Sequence, residues 1–183
     1  MLDNLADMKK TAGEIAKKLN KSYYDLDNEN ELHMYIVGSV GRKTAISGSS
    51  DLDVLFDLPA NIYSKYNAYS DNGQSALIKD VKNVLKEKYP NTDIRGDGQV
   101  VVIAFNKYTV ELVPGFKQAD DRFKYPDTHD GGSWKYTDPL SEQSACTECE
   151  NESDGKYYDF CHIIRSWKNH IGIKMGGLLI DTL

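Results

Sequence analysis

Two aspartates, Asp51 and Asp53, open the run DLDVLFDL, which otherwise reads as a β-strand. Alternate strand residues face one side, so these carboxylates project together while Leu52 and Val54 face the other way. A third acid, Glu111, stands in YTVELVPGF, where apolar neighbours on both sides predict a second buried strand. Neighbouring strands lie only about 4.8 Å apart, so the three acids can converge on one small volume. Carboxylates that close raise one another's pKa unless a cation sits between them. An all-oxygen ligand set suits Mg2+, with Mn2+ as the alternative; such ions complete their shells with water and phosphate oxygens. The plainer reading is that D-x-D is common at strand edges and turns, and that a lone strand glutamate is usually an ion-pair partner. Asp57, near the strand end, reads as a solvated or capping residue.

Gly38 and Ser39 precede this pair in GSVGRKTAISGSSDLDVLF, between a short apolar strand and a short helix. Glycine lets backbone approach a ligand closely, and N–H groups at a helix start together with a serine hydroxyl can hold phosphate oxygens. Arg42 and Lys43 follow at once, as triphosphate neutralisers or simply as solvated cations. Thr44 and Ser47 are expected to order the loop by hydroxyl-to-backbone bonds.

These residues need a scaffold, and its elements are readable by periodicity. Leu5, Met8, Ala12, Ile15 and Leu19 recur at helical spacing and predict an amphipathic helix over 3–20, ended by YYDLDNENEL. HMYIVG reads as a short buried strand, SKYNAYSDNGQ as a polar loop, and 75–89 as a helix with Leu77, Ile78, Val81, Val84 and Leu85 on one face. QVVVIAF and YTVELVPGF, separated by Asn106-Lys107, predict an antiparallel hairpin. The stretch from Lys117 to Leu140 reads as a long loop in which a site could be built. SEQSACTECENESD reads as a helix that becomes exposed, YYDFCHIIRSWKNHI as a helix, and GGLLIDTL as the start of another. The fold class is α+β, a mainly antiparallel sheet packed by helices.

The 183 residues carry a formal net charge of −6, which argues against holding long duplex nucleic acid by bulk phosphate neutralisation. No membrane span or signal-peptide core is legible, so no membrane association and a cytoplasmic location are expected. Cys146 and Cys149 form a C-x-x-C, with Cys161 and His162 further on. Adjacent helical residues point about 100° apart, which suits tetrahedral zinc badly, so reduced thiols are the expectation.

The combination of G-S, a spacer, S-D-x-D and a later strand carboxylate resembles the nucleotidyltransferase superfamily with the DNA polymerase beta type of fold. With VELVPGF and YPDTHDGGSWKYTDP, it resembles the bacterial cGAS/DncV-like nucleotidyltransferases, which make cyclic oligonucleotide second messengers in anti-phage defence. The resemblance implies that Gly38 and Ser39 bind the donor triphosphate and that Asp51, Asp53 and Glu111 hold two Mg2+ ions, Glu111 also assisting deprotonation of the attacking hydroxyl. It gives the helix bearing Arg165 and Lys168 the part of supplying a cation to the triphosphate, against a solvated helix face as the alternative. Trp134 and Tyr136 fall in the family's GG-x-W-x-x-T-D-P stretch, where base stacking competes with simple anchoring of the loop, and anchoring is favoured for Trp134. His129 reads as a surface histidine with no acid partner implied by spacing. Gly177 and Leu178 depart from the Ser-Tyr pair of animal members.

Residues 1–139 are accordingly expected to form the catalytic core, and 140–183 the incomplete start of a C-terminal helical lobe. The implied partners are nucleoside triphosphates and an unspecified regulatory protein. Nucleotidyl transfer to a protein, RNA or small-molecule acceptor, and a non-catalytic nucleotide-binding module, are the competing readings. Three mutually repelling acids weigh against the last.

Overall fold

The computed structural model describes residues 4–48 and 51–182. Asp3, Ser49, Ser50 and Leu183, which belong to the expected first helix, the S-D-x-D signature and the terminal apolar stretch, lie outside them.

Helix α1 spans Leu5–Tyr24 and buries Met8, Ala12, Ile15 and Leu19 of the expected stripe, with Ala16 also buried and Leu5 only half-buried. It runs past the expected end because its last tyrosines have tertiary partners: the Tyr23 hydroxyl donates to Asp80 at 2.9 Å and the Tyr24 hydroxyl to the Asp57 carbonyl at 2.9 Å. Strand β1, Met34–Ile36, leads into helix α2, Gly38–Gly41, and then β2, Leu52–Asp57. Helix α3, Ala60–Asn67, lies partly where a polar loop was expected. Pro59 starts it, and Ile62, Tyr63 and Tyr66 supply the face that packs on the core. Helix α4, Gly73–Lys88, begins where the Asn72 side chain accepts from Ser75 N at 2.9 Å.

Strand β3, Asp93–Asp97, was not anticipated: Ile94 is its one buried residue, and the rest are charged or glycine. Strands β4, Val100–Ala104, and β5, Thr109–Lys117, form the expected antiparallel hairpin across Asn106-Lys107, where Phe105 N donates to Tyr108 O at 3.2 Å. The expected long loop is instead largely a second hairpin, β6 Phe123–Asp127 and β7 Ser133–Thr137. Helices α5, Pro139–Glu152, α6, Tyr157–Ile171, and α7, Gly177–Asp181, complete the chain.

The sheet runs β1-β2-β5-β4-β3, with β6 on β5 and β7 on β6. β2 and β5 are parallel and every other pair is antiparallel, which is the α+β arrangement expected. One face carries Val54, Phe56, Val101, Ile103, Val110 and Leu112 into a core shared with α1 and α4. On the other face Leu55 packs with Val37 and Phe123, and with Tyr35, Val113 and Leu140 around them. Asp53 and Glu111 precede Leu55 and Val113 by two residues and therefore share this second face. Among the described residues no helix is long and apolar enough to cross a membrane.

Candidate active site

β2 and β5 bring the two central acids together by register: Asp53 is the direct parallel partner of Glu111. Burial, then the charge of Glu111, then that of Asp51 push the Asp53 carboxyl up to about 6, with Arg42 opposing. Burial and the charges of Asp51 and Asp97 raise Glu111 as well, with Arg95 opposing. Asp51 itself lies just before β2 and is exposed, with its charge felt at both partners. Among the described residues, no three His, Cys, Asp or Glu side chains are gathered into a ready-made metal cage.

Gly38 closes over Asp53. Its φ is +60°, and a Cβ there would stand 1.8 Å from Asp53 Oδ2, so only glycine fits. Val37 N donates to the Asp53 carbonyl at 2.9 Å, stitching the turn to the strand that carries the acid. Ser39 follows in α2, and its carbonyl accepts from Thr44 N at 2.9 Å, closing the turn. The close cradle at Gly38, the lifted Asp53 carboxyl and the all-oxygen donor set together fit a hard divalent cation. Asp53 and Glu111 would hold it, while Asp51, exposed just before β2, is not gathered with them into a three-acid set.

The cations are placed less simply than the sequence suggested. Arg42 is only 7% exposed and donates to Asp181 Oδ2 at 2.9 Å and to Glu142 Oε2 at 2.7 Å. Arg165 donates to both oxygens of Asp181, at 2.8 and 2.7 Å, and to the Gly177 carbonyl at 3.0 Å. Both guanidinium groups, expected to supply charge to a triphosphate, thus have carboxylate partners of their own. Lys168 is half-buried in a shallow depression with Asn169, Gly172, Lys174 and Gly176, and has no salt-bridge partner among the described residues. Lys43 lies 5.8 Å from the Tyr158 ring centroid.

Thr44 corrects a smaller expectation: its hydroxyl donates to Asp181 Oδ2 at 2.9 Å, a side chain from the far end of the sequence, instead of to loop backbone. Asp181 was missed altogether. Its signal was the one that marks Glu111, an acid beside apolar residues, here in GGLLIDTL.

Trp134 packs on Tyr63 and Phe116 and donates from Nε1 to Asn67 Oδ1 at 3.0 Å, so it anchors the hairpin. Tyr136 is half exposed beneath Arg122 and Lys124. His129 is exposed, as expected, yet does have an acid partner, Asp127, at 2.6 Å. Asp127 also pairs with Lys135, and these two neighbours hold its carboxyl well below the usual range. Asp57 caps β5, accepting from Lys117 N at 2.7 Å. Cys146 and Cys161 are buried free thiols, Cys146 Sγ lying 3.2 Å from the Tyr157 hydroxyl oxygen, while Cys149 is exposed.

Comparisons with known proteins bear on the fold and the family. A probable cyclic nucleotide synthase of Bacillus cereus (strain VD146) is 21% identical over 174 aligned residues, covering 80% of this chain and 53% of that protein. The structure of CdnC from Escherichia coli MS115-1, in complex with HORMA-deltaN, superposes with a TM-score of 0.69 at 16% identity, covering 97% of this chain and 56% of that one. Rhodothermus marinus CdnE, a c-UMP-AMP synthase solved with Apcpp and Upnpp, superposes with a TM-score of 0.66 at 14% identity, covering 95% and 68%. These likenesses show a shared fold, the nucleotidyltransferase fold of polymerase beta type, and the chain spans about half the length of the curated relative. The profile of the Second Messenger Oligonucleotide or Dinucleotide Synthetase domain matches residues 2–150, and the chain belongs to that family.

Proposed function

We propose that this chain carries the catalytic site of a Mg2+-dependent nucleotidyltransferase that joins nucleoside triphosphates into a cyclic di- or oligonucleotide and releases pyrophosphate. The observation that carries the reading is the register of Asp53 with Glu111 directly beneath the Gly38 cradle. Held by these acids, Mg2+, or Mn2+ in its place, supplies positive charge at the phosphates and at the entering oxygen, the work of a two-ion site.

The chain's own residues do the rest. Backbone at Gly38 and the Ser39 hydroxyl hold the triphosphate tail, and the glycine admits the α-phosphate against Asp53. Glu111 Oε accepts the proton of the acceptor ribose hydroxyl, whose oxygen bonds to the α-phosphorus as the bond to pyrophosphate breaks. Arg42 acts from behind the turn, its charge moderating Asp53. Lys168 and Lys43, without an ion-pair partner among the described residues, are the expected cations left to meet the triphosphate directly. Trp134 fixes the β6–β7 hairpin on the core through Tyr63 and Phe116.

Residues 1–139 form the catalytic core in this reading, and 140–183 belong to a helical lobe that flanks the cleft. A role in bacterial anti-phage defence, a cytoplasmic location and a regulatory protein partner extend the same proposal. The family resemblance supports the first, and the HORMA-deltaN complex of CdnC supports the last.

Mass spectrometry of products from mixed NTPs and Mg2+ tests the reading. A cyclic product absent from an Asp53→Asn control is the expected result. Transfer only to a protein, RNA or small-molecule acceptor would replace it, and binding without products would reduce the chain to a nucleotide-binding module.

A further inference from the structure

The turn that carries Gly38 and Ser39 is fastened from behind by the C-terminal helices, and Asp181 is the fastening point. Its Oδ2 accepts from Arg42 Nε and from Thr44 Oγ1, each at 2.9 Å, while both its oxygens accept from Arg165. The Asp181 side chain is 1% exposed. α7 is seated in turn by the Tyr157 hydroxyl, which donates to the Asp181 carbonyl at 2.7 Å, and by Arg165 on the Gly177 carbonyl. Further ties come from α5, where Glu142 accepts from Arg42 and Gln143 donates to the Ile36 carbonyl at 3.0 Å. From α6, a His162 ring nitrogen lies 3.0 Å from the Lys43 carbonyl.

We propose that Asp181 is a positioning residue for the donor nucleotide, acting through Arg42 and Thr44 to fix the shape of the turn at Gly38 and Ser39; this rests on the function proposed above. A single helical turn flanked by glycines has no intrinsic stability, so its shape must come from tertiary ties. On one side the tie is Val37 to the Asp53 strand; on the other it is Asp181. Thr44 is fully buried and Arg42 nearly so, which puts both out of reach of a ligand in the cleft. Asp181 therefore holds the turn and does not withhold its arginines from substrate. Losing the carboxylate would leave Arg42 facing Glu142 alone and Arg165 with only the Gly177 carbonyl, an uncompensated buried charge.

The test uses the full chain and two variants, Asp181→Asn and Thr44→Val, the latter removing only the hydroxyl tie. Hydrogen exchange is followed without nucleotide, and binding of ATP and of GTP with Mg2+ is measured beside the rate of pyrophosphate release. Asp181→Asn should speed exchange of amides 40–45 by about tenfold or more while β4 and β5 keep wild-type rates. It should weaken nucleotide binding by about tenfold while kcat falls less than about threefold. Thr44→Val should move both readouts the same way by about threefold, and add nothing once Asp181 is changed, because both act through one carboxylate.

A cooperatively folded Asp181→Asn protein with wild-type exchange at 40–45 and nucleotide affinity within about twofold would overturn the proposal. So would a gain in affinity, which would mean that Asp181 withholds its arginines. If Asp181→Asn does not fold, wild-type exchange and affinity in Thr44→Val overturn it instead. Wild-type protein that binds neither nucleotide refutes the proposed function, while the exchange measurement still decides whether Asp181 holds the turn.

Discussion

Asp53 sits under strain that a bound cation would relieve. Its folded-state carboxyl is pushed up to about 6 from 3.8, so between those values the folded protein binds a proton that the unfolded chain releases. In metal-free buffer, stability should therefore fall as pH rises from about 4 to about 7, with about 1–3 kcal/mol at stake. Thermal melts in EDTA check this: Asp53→Asn should flatten the pH dependence and melt higher than wild type at pH 8, while abolishing catalysis. Gly38→Ala is the opposite case. Its methyl group would meet Asp53 Oδ2 at 1.8 Å, so pyrophosphate release should drop by about a hundredfold or more. The acids were legible because alternation and apolar flanks say where a strand carboxylate points. The partner of Arg42 was not, since Asp181 lies 139 residues away and no local pattern joins them.

Elements were legible where burial imposes a period. α1, α4 and the β4–β5 hairpin have one continuous apolar face each, and their sequences show it. β3 escaped because Ile94 alone is buried while Asp93, Arg95 and Asp97 face outward, so its strand character comes from pairing with β4. β6 and β7 escaped because only Phe123, Pro126 and Asp127 are buried and the turn between them holds His129–Gly131. The parallel β2–β5 pairing is the element on which the site depends. Leu112, fully buried next to Glu111 and paired with Val54, should cost about 2–5 kcal/mol when changed to Ala, read as a lowered denaturation midpoint. Loss of activity should track the unfolded fraction, because Leu112 faces the core and not the cleft.

At the scale of the molecule, the two faces of the sheet divide the work. One is filled by α1 and α4, and the other carries the carboxylates, with the C-terminal helices fastened to α2 beside them. α6 presents Phe160, Ile163, Trp167 and Ile171 to solvent, an apolar stripe at helical spacing that the short α7 does not cover. With a net charge of −6, the chain should show no binding to long duplex DNA by fluorescence anisotropy at about 150 mM salt.

Everything in the functional reading depends on Asp53 and Glu111 acting as one metal-dependent unit. The most direct measurement is pyrophosphate release from NTPs with and without Mg2+, for the wild type and for Glu111→Gln. Release that requires Mg2+ and falls by about a thousandfold or more in the variant is the expected result. Equal release by both proteins, or release indifferent to EDTA, would contradict it.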